Sequence, residues 1–370
     1  MKKTAKLLIL CILSTLLSGC YNYRDINKVT FVTSAILDRD PLDNVVIYLE
    51  CIRPFRSANE SSDKGKRVSY TGRGKTLLEA IRDVGRSSSF KVDFTQNRAY
   101  IFTEDAARKG IRNYIDLINR NQELLVKPNM FIYFGSVDAL VKFSDNDEEY
   151  LGFYLHELVQ KMKSTPQVVY NNTNDFLVER LTGSKISIMG GLRFKENATG
   201  KKLELSGAGI FREDKMIEQM SPDEGLSYNF LRDKVKSGTL EVPNPEDQDS
   251  FTTLEILNSR TTTDVQYDGS RVKLYKKIDL TTSIAESQQK LIVDQEKVEI
   301  MKNKEKENMR SHLNRVFDKY KKLNIDIFEI QNRLEKKYPG QNIPNAMKNT
   351  DLIIDVDMDI KGASKAKNTL

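Results

Sequence analysis

Four stretches carry residue types that could do chemistry, and each lacks part of its set. Gly72-Arg73-Gly74-Lys75-Thr76 has the form of the end of a phosphate-binding loop, in which glycine amides and a lysine cradle phosphate. That loop needs a glycine five residues before its Gly-Lys-Thr, where this chain has Ser69, so the stretch reads as a turn leading into a helix. His156-Glu157-Leu158-Val159-Gln160 begins like a zinc-protease helix but puts Gln160 where the second histidine ligand belongs. The other histidine is His312, and Cys51 stands alone once the N-terminal segment is removed, so ligands for a soft metal are missing. Asp355, Asp357 and Asp359 share one face of a period-two run. Carboxylates about 6–7 Å apart along a straight strand do not converge on one calcium ion, and they read as a solvated sheet face. A Gly-x-Ser-x-Gly nucleophile elbow does not occur. The expectation is a protein without catalytic residues, metal or cofactor, and not an enzyme.

One thiol has a chemistry that its neighbours specify. Lys2, Lys3 and Lys6 precede the apolar run Leu7 to Leu17, and Leu17-Ser18-Gly19-Cys20 follows. A basic start, a short apolar run and small residues at a cut site make an export signal. The run is about 11 residues, too short for a hydrocarbon core that needs roughly 20. Leu-Ser-Gly-Cys resembles the lipobox of bacterial lipoproteins. That resemblance implies cleavage before Cys20, an S-diacylglycerol on its sulfur and an amine open to acylation. The bland reading, a plain cysteine beside an ordinary cleavage site, fits fewer of these positions.

Removing residues 1–19 leaves 351 residues, enough for two or three domains. The formal charge of +6 loses the three signal lysines and becomes +3. This is no nucleic-acid footprint, though it suits a place near an anionic membrane surface. With Cys11 and Cys20 accounted for, Cys51 has no disulfide partner and reads as a buried small hydrophobe. Export without disulfides points to a Gram-positive envelope.

Strands and helices alternate along the chain. Val29–Leu37 and Val45–Ile52 flank turn formers and predict a hairpin. Val68–Tyr70, Ala99–Thr103, Met130–Phe134, Lys185–Phe194 (broken at Gly190-Gly191), Leu203–Phe211, Phe251–Ile256 and Val272–Ile284 read as strands. Thr76–Val84, Glu104–Asn119, Asn146–Met162 and Asp175–Thr182 read as helices, the first with a Thr76/Glu79 capping box. Asp294–Leu323 predicts one long helix and Ile325–Tyr338 a second, before the alternating strand Leu352–Ile360. The long helix carries nine Lys/Arg against four acids between Lys297 and Lys322. That reads as a solvated face, with anionic lipid or an acidic partner as the alternative. The fold class is α+β, mixed sheets and helices with a long helix near the C-terminus. The expected divisions are a 20–28 tether, a 29–195 N-terminal region of two subdomains, a polar 196–202 linker, a 203–363 C-terminal domain and a 364–370 tail.

Gly19-Cys20-Tyr21-Asn22-Tyr23-Arg24-Asp25-Ile26-Asn27 is similar to the mature start of Ger(x)C proteins, the lipoprotein C subunits of spore germinant receptors. Gly74 to Ile81, Gly207 to Phe211, Lys234 to Gly238, Asp326-Ile327-Phe328 and Lys336 to Pro339 follow in the family's order. Departures are Tyr21 for tryptophan, Glu329 for the glycine after Phe328, and a chain without tryptophan. The resemblance implies three α/β domains, the outer face of the inner spore membrane, and integral-membrane A and transporter-like B partner subunits. Its function would be non-catalytic, supporting nutrient-triggered germination through protein contacts. The alternative is a solute-binding lipoprotein whose two lobes close on a ligand for a transporter.

Overall fold

The computed structural model describes residues 28–53, 66–124, 127–143, 149–162, 165–198 and 200–363. Strands β1 (Val29–Arg39), β2 (Val45–Arg53) and β3 (Lys66–Gly74) form an antiparallel meander. At its first turn, Asp40 Oδ1 accepts from the amides of Leu42 and Asn44 at 2.9 and 2.8 Å, the local bond that makes aspartate a turn former. Helix α1 (Leu77–Ser87) follows. Thr76 Oγ1 accepts from Glu79 N, and Glu79 Oε2 accepts from Lys75 N, so the capping bonds form with the return one residue early. Gly72 and Gly74 lie under this helix. A Cβ on them would stand 2.1 Å from Ala80 O and 2.7 Å from Ala80 N. Close helix–strand contact therefore accounts for these glycines.

Strands β4 (Lys91–Asp93) and β5 (Ala99–Thr103) run parallel to β1. The expected Glu104–Asn119 helix is two, α2 (Glu104–Lys109) and α3 (Arg112–Arg120), divided at Gly110 with φ 119°. Then come β6 (Asn129–Tyr133), α4 (Val137–Val141), α5 (Leu151–Lys161), β7 (Asn171–Asn172), α6 (Thr173–Glu179), β8 (Ile186–Asn197), β9 (Gly200–Arg212) and β10 (Lys215–Met220). One ten-stranded sheet results, ordered β10-β9-β8-β6-β5-β1-β2-β3, with β4 beside β1 and β7 beside β6. Alternation along β1 feeds two cores. Ala35 and Leu37 join Ala80, Val84 and Tyr114 on one face; Ile36 joins Leu151 and Leu155 on the other. Cys51 lies fully buried in the first, and burial pushes its thiol pKa up to about 12.

The 196–202 stretch forms the tip of a hairpin. Glu196 pairs with Lys201 and Asn197 with Gly200, closing the β8–β9 hairpin while the sheet continues through it. Polar composition marks an exposed hairpin tip as readily as a boundary. The Gly190-Gly191 pair does not break β8 either. A Cβ at these positions would meet Val169 O at 2.5 Å and Ser206 O at 2.4 Å, so glycine there permits neighbouring backbone to approach.

A capped turn at Ser221–Glu224 starts α7 (Gly225–Leu231). Strands β11 (Gly238–Asn244), β12 (Asp247–Tyr267) and β13 (Val272–Ser287) precede α8 (Gln295–Leu323), α9 (Ile330–Lys337) and β14 (Thr350–Ala363). The second sheet is β11-β12-β13-β14, with β14 parallel to β13. Strand β11 escaped the sequence reading because Pro243 lies in it; on an edge strand its missing N–H is tolerated. The second helix starts five residues later than expected because Asn324 and Glu329 are left-handed, with φ 51° and 61°. Met301, Met309, Leu313, Val316, Phe317 and Tyr320 form the buried stripe of α8, and Glu305 falls in it too. The largest core joins the sheets, packing Ile188, Ile210 and Met220 with Leu254, Ile278, Phe317 and Val356. The fold is mixed α+β with a long helix near its C-terminus. No described helix is long and apolar enough to cross a membrane.

Candidate functional site

Cys20 lies outside the described residues, as do the rest of the signal and Tyr21 to Asn27. Asp355, Asp357 and Asp359 are exposed on β14, as expected, while Val356, Met358 and Ile360 turn inward. Helix α8 runs along this edge. Lys302 meets Asp359 at 3.2 Å, Lys306 meets Asp357 at 3.8 Å and Arg310 meets Asp355 at 3.7 Å. Lys297, Lys319 and Lys321 pair with Glu246, Glu224 and Asp351. Six of the nine cations between Lys297 and Lys322 thus find carboxylates in their own chain. Among the described residues, no three His, Cys, Asp or Glu side chains group to hold a metal.

The polar concentration that the sequence did not announce is the seam between the sheets. Arg232 follows α7 and is its hub: it reaches Glu179 at 3.3 Å and Glu329 at 2.8 Å, and donates to Ile327 O at 2.9 Å. Burial works against its charge, but Tyr228, Glu329, Glu179 and Asp326 around it lift its pKa above the usual value. Glu179 is raised by burial, against the pull of Arg232 and Lys234. Its Oε2 accepts from Asn171 Nδ2 at 3.0 Å, and Asn171 Oδ1 accepts from Lys234 Nζ at 3.1 Å. Asn229 Nδ2 donates to the carbonyls of Pro166 and Val168 at 2.7 and 2.9 Å. Arg212 donates to Asn324 O at 3.2 Å.

On the second-sheet side, Asp326 is fully enclosed and accepts from the amides of Phe328, Ile330 and Gln331 at 3.2, 3.0 and 2.9 Å. It caps α9, whose first amides have no helical partner. Burial raises its pKa; the three amide bonds oppose the rise. Lys276 on β13 is 2% exposed and donates to Leu231 O and Thr263 Oγ1. Two cavities flank the seam. One of about 260 Å³ is lined by Pro166, Val168, Asn171, Asn229 and Lys234; one of about 350 Å³ is lined by Arg212, Asp326, Gln331, Glu335 and Asn345. The carboxylates here are held by guanidinium, amide or helix N–H groups. Such an arrangement fixes the two sheets together.

The fold and seam define a class: a two-sheet α+β protein whose sheets are held together by buried polar groups. The fold matches the crystal structure of the GerBC protein with a TM-score of 0.57 and 14% identity, over 88% of this chain and 96% of that one. Residues 22–190 match the spore germination protein N-terminal domain, and residues 206–364 match the spore germination B3/GerAC-like C-terminal domain. The chain belongs to the Ger(x)C family of spore germination proteins. Spore germination protein GerQC of Bacillus cereus is 23% identical over 254 residues, 69% of this chain and 68% of that protein. Spore germination protein B3 of Bacillus subtilis (strain 168) is 20% identical over 277 residues, 70% of this chain and 69% of that protein. The two family domains meet between residues 190 and 206, across the β8–β9 hairpin.

Proposed function

We propose that the mature chain is the lipid-anchored, non-catalytic C subunit of a spore germinant receptor. It sits on the outer face of the inner spore membrane and acts through contacts with an integral-membrane A subunit and a transporter-like B subunit. The observation that carries this reading is the family match to both halves of the chain, with Leu17-Ser18-Gly19-Cys20 immediately ahead of them. The seam supports a structural role, because its charged groups are spent on one another. The solute-binding alternative needs two lobes that open, whereas here Arg232–Glu179 ties the sheets, and Lys234–Asn171 and Asn229–Pro166 tie them at the smaller cavity.

Cys20→Ala tests the reading. Spores carrying it are expected to lose lipidation of this subunit and to germinate weakly with nutrients, with chemically forced germination intact. Normal nutrient germination by these spores would reject the anchoring.

A further inference from the structure

The chain enters the described fold at Lys28, and among the described residues around that point cations outnumber acids. From β2 across to β6, each strand starts or ends at this side on or within two residues of a cation: Arg53, Lys28, Lys91, Arg98 and Lys127. Register places Lys91 opposite Val29, level with Lys28, while Ala99, opposite Ser34, puts Arg98 level with Thr33, roughly 16 Å farther along, so the row slants across the end of the sheet. Lys28, Lys91, Arg98 and Lys127 are exposed, while Asp93 among them is buried. Lys91 meets Glu123 at 2.9 Å, which offsets one charge of the row. At the other end of the same strands, acids and bases are mixed and mutually paired, Arg39 and Lys109 with Asp43 and Arg108 with Glu104.

We propose that this cationic row is a second membrane attachment, seated on the headgroups of anionic phospholipids. The proposal rests on the lipidation of Cys20 for its geometry. The eight residues from Cys20 to Asn27 reach at most about 28 Å when extended, so the lipid holds this end of the sheet, and no other, at the bilayer. Surface charge acts over roughly 8 Å at physiological salt, so the row contributes only when drawn into near contact. One lipid anchor gains from such a partner, because firm attachment takes two signals. The basic face of α8 is a poorer candidate, since its cations already meet Asp355, Asp357 and Asp359.

The test uses the mature chain with Cys20→Ala, so that no acyl chain contributes. It is sedimented with vesicles of phosphatidylglycerol in phosphatidylcholine, and with phosphatidylcholine alone. Binding is expected only to the anionic vesicles, falling as salt rises. Each cation at an anionic surface is worth about fivefold, so Lys28→Glu, Arg98→Glu and Lys127→Glu together cost about 100-fold or more. Reversal of three exposed cations elsewhere, Lys304→Glu, Lys322→Glu and Lys336→Glu, is expected to change binding little. If melting shows the reversed protein unfolded, glutamine at the same three positions reads the same loss. Equal binding to neutral vesicles, no binding, or an equal loss in the control would overturn the proposal. So would a reversed protein that still binds vesicles but no longer co-purifies with the membrane subunits, which would assign the row to a protein partner. Because the assay omits the lipid anchor, its outcome is independent of what Cys20→Ala does in spores.

Discussion

Lys276 gives the most exacting check on the seam. Its ammonium is enclosed beneath α7, where burial, with Arg333 and Arg232 nearby, pushes its pKa from 10.5 down to about 7. The folded protein therefore releases this proton near pH 7 and the unfolded chain near 10.5. Between those values the unfolded chain binds more protons, so stability rises with pH. At and below pH 7 the buried charge costs roughly 4–5 kcal/mol, and between pH 7 and 8.5 roughly 1–2 kcal/mol of that is relieved. Lys276→Met keeps the volume and removes the charge. It leaves Leu231 O and Thr263 Oγ1 without this donor, a loss of about 1 kcal/mol each that does not vary with pH. Urea unfolding of both proteins at half-unit steps from pH 7 to 8.5 is the assay. The native protein is expected to gain roughly 1–2 kcal/mol on the variant across this window. Glu305 titrates here with the opposite slope, but Glu305 and Cys51 are common to both proteins, so their contributions cancel in the comparison. Parallel profiles would refute the reasoning, because they would mean that the lysine is hydrated.

Two further outcomes follow from buried charge. Arg232→Met strands Glu179 and Glu329 and should lower the stability read from urea unfolding by about 3–5 kcal/mol, with part restored by adding Glu179→Gln. Glu305, in the apolar stripe of α8, is raised to about 7 by burial, with Glu241 adding to the rise and Asn308 opposing it. Its folded pKa lies above the unfolded value, so stability is lost as pH rises: about 2 kcal/mol between pH 5 and 7, a fall that Glu305→Gln should abolish in thermal melts.

Periodicity made most elements legible. The β14 alternation and the α8 stripe are local patterns, and each side chain obeys the face that its position dictates. Glu305 shows the limit, since it occupies a core position that a hydrophobic pattern counts as polar. The 196–202 stretch shows another, because pairing between β8 and β9 is not written in composition. The seam was illegible for the same reason. Glu179, Arg232 and Glu329 are unremarkable singly, and only tertiary contact across some 150 residues makes them one network.

The family markers nevertheless pointed there without saying why. Ala208 and Ile210 enter the core shared by both sheets. Gly238, at φ 135°, lies so close to Pro166 that a Cβ would stand 2.4 Å from its Cδ. Asp326 caps α9 beside the hub. Glu329 is the instructive departure. The resemblance leads to glycine at this position, and the backbone is left-handed there, which glycine adopts freely and other residues enter at about 1–2 kcal/mol. Here that strain coexists with a 2.8 Å contact between Glu329 and Arg232. A charge pair of this burial can offset strain of that size only while Arg232 stays enclosed, which ties the turn before α9 to the closure of the seam. The same guanidinium reaches Glu179 on the first-sheet side, so the turn before α9 and the tie between the sheets share one side chain.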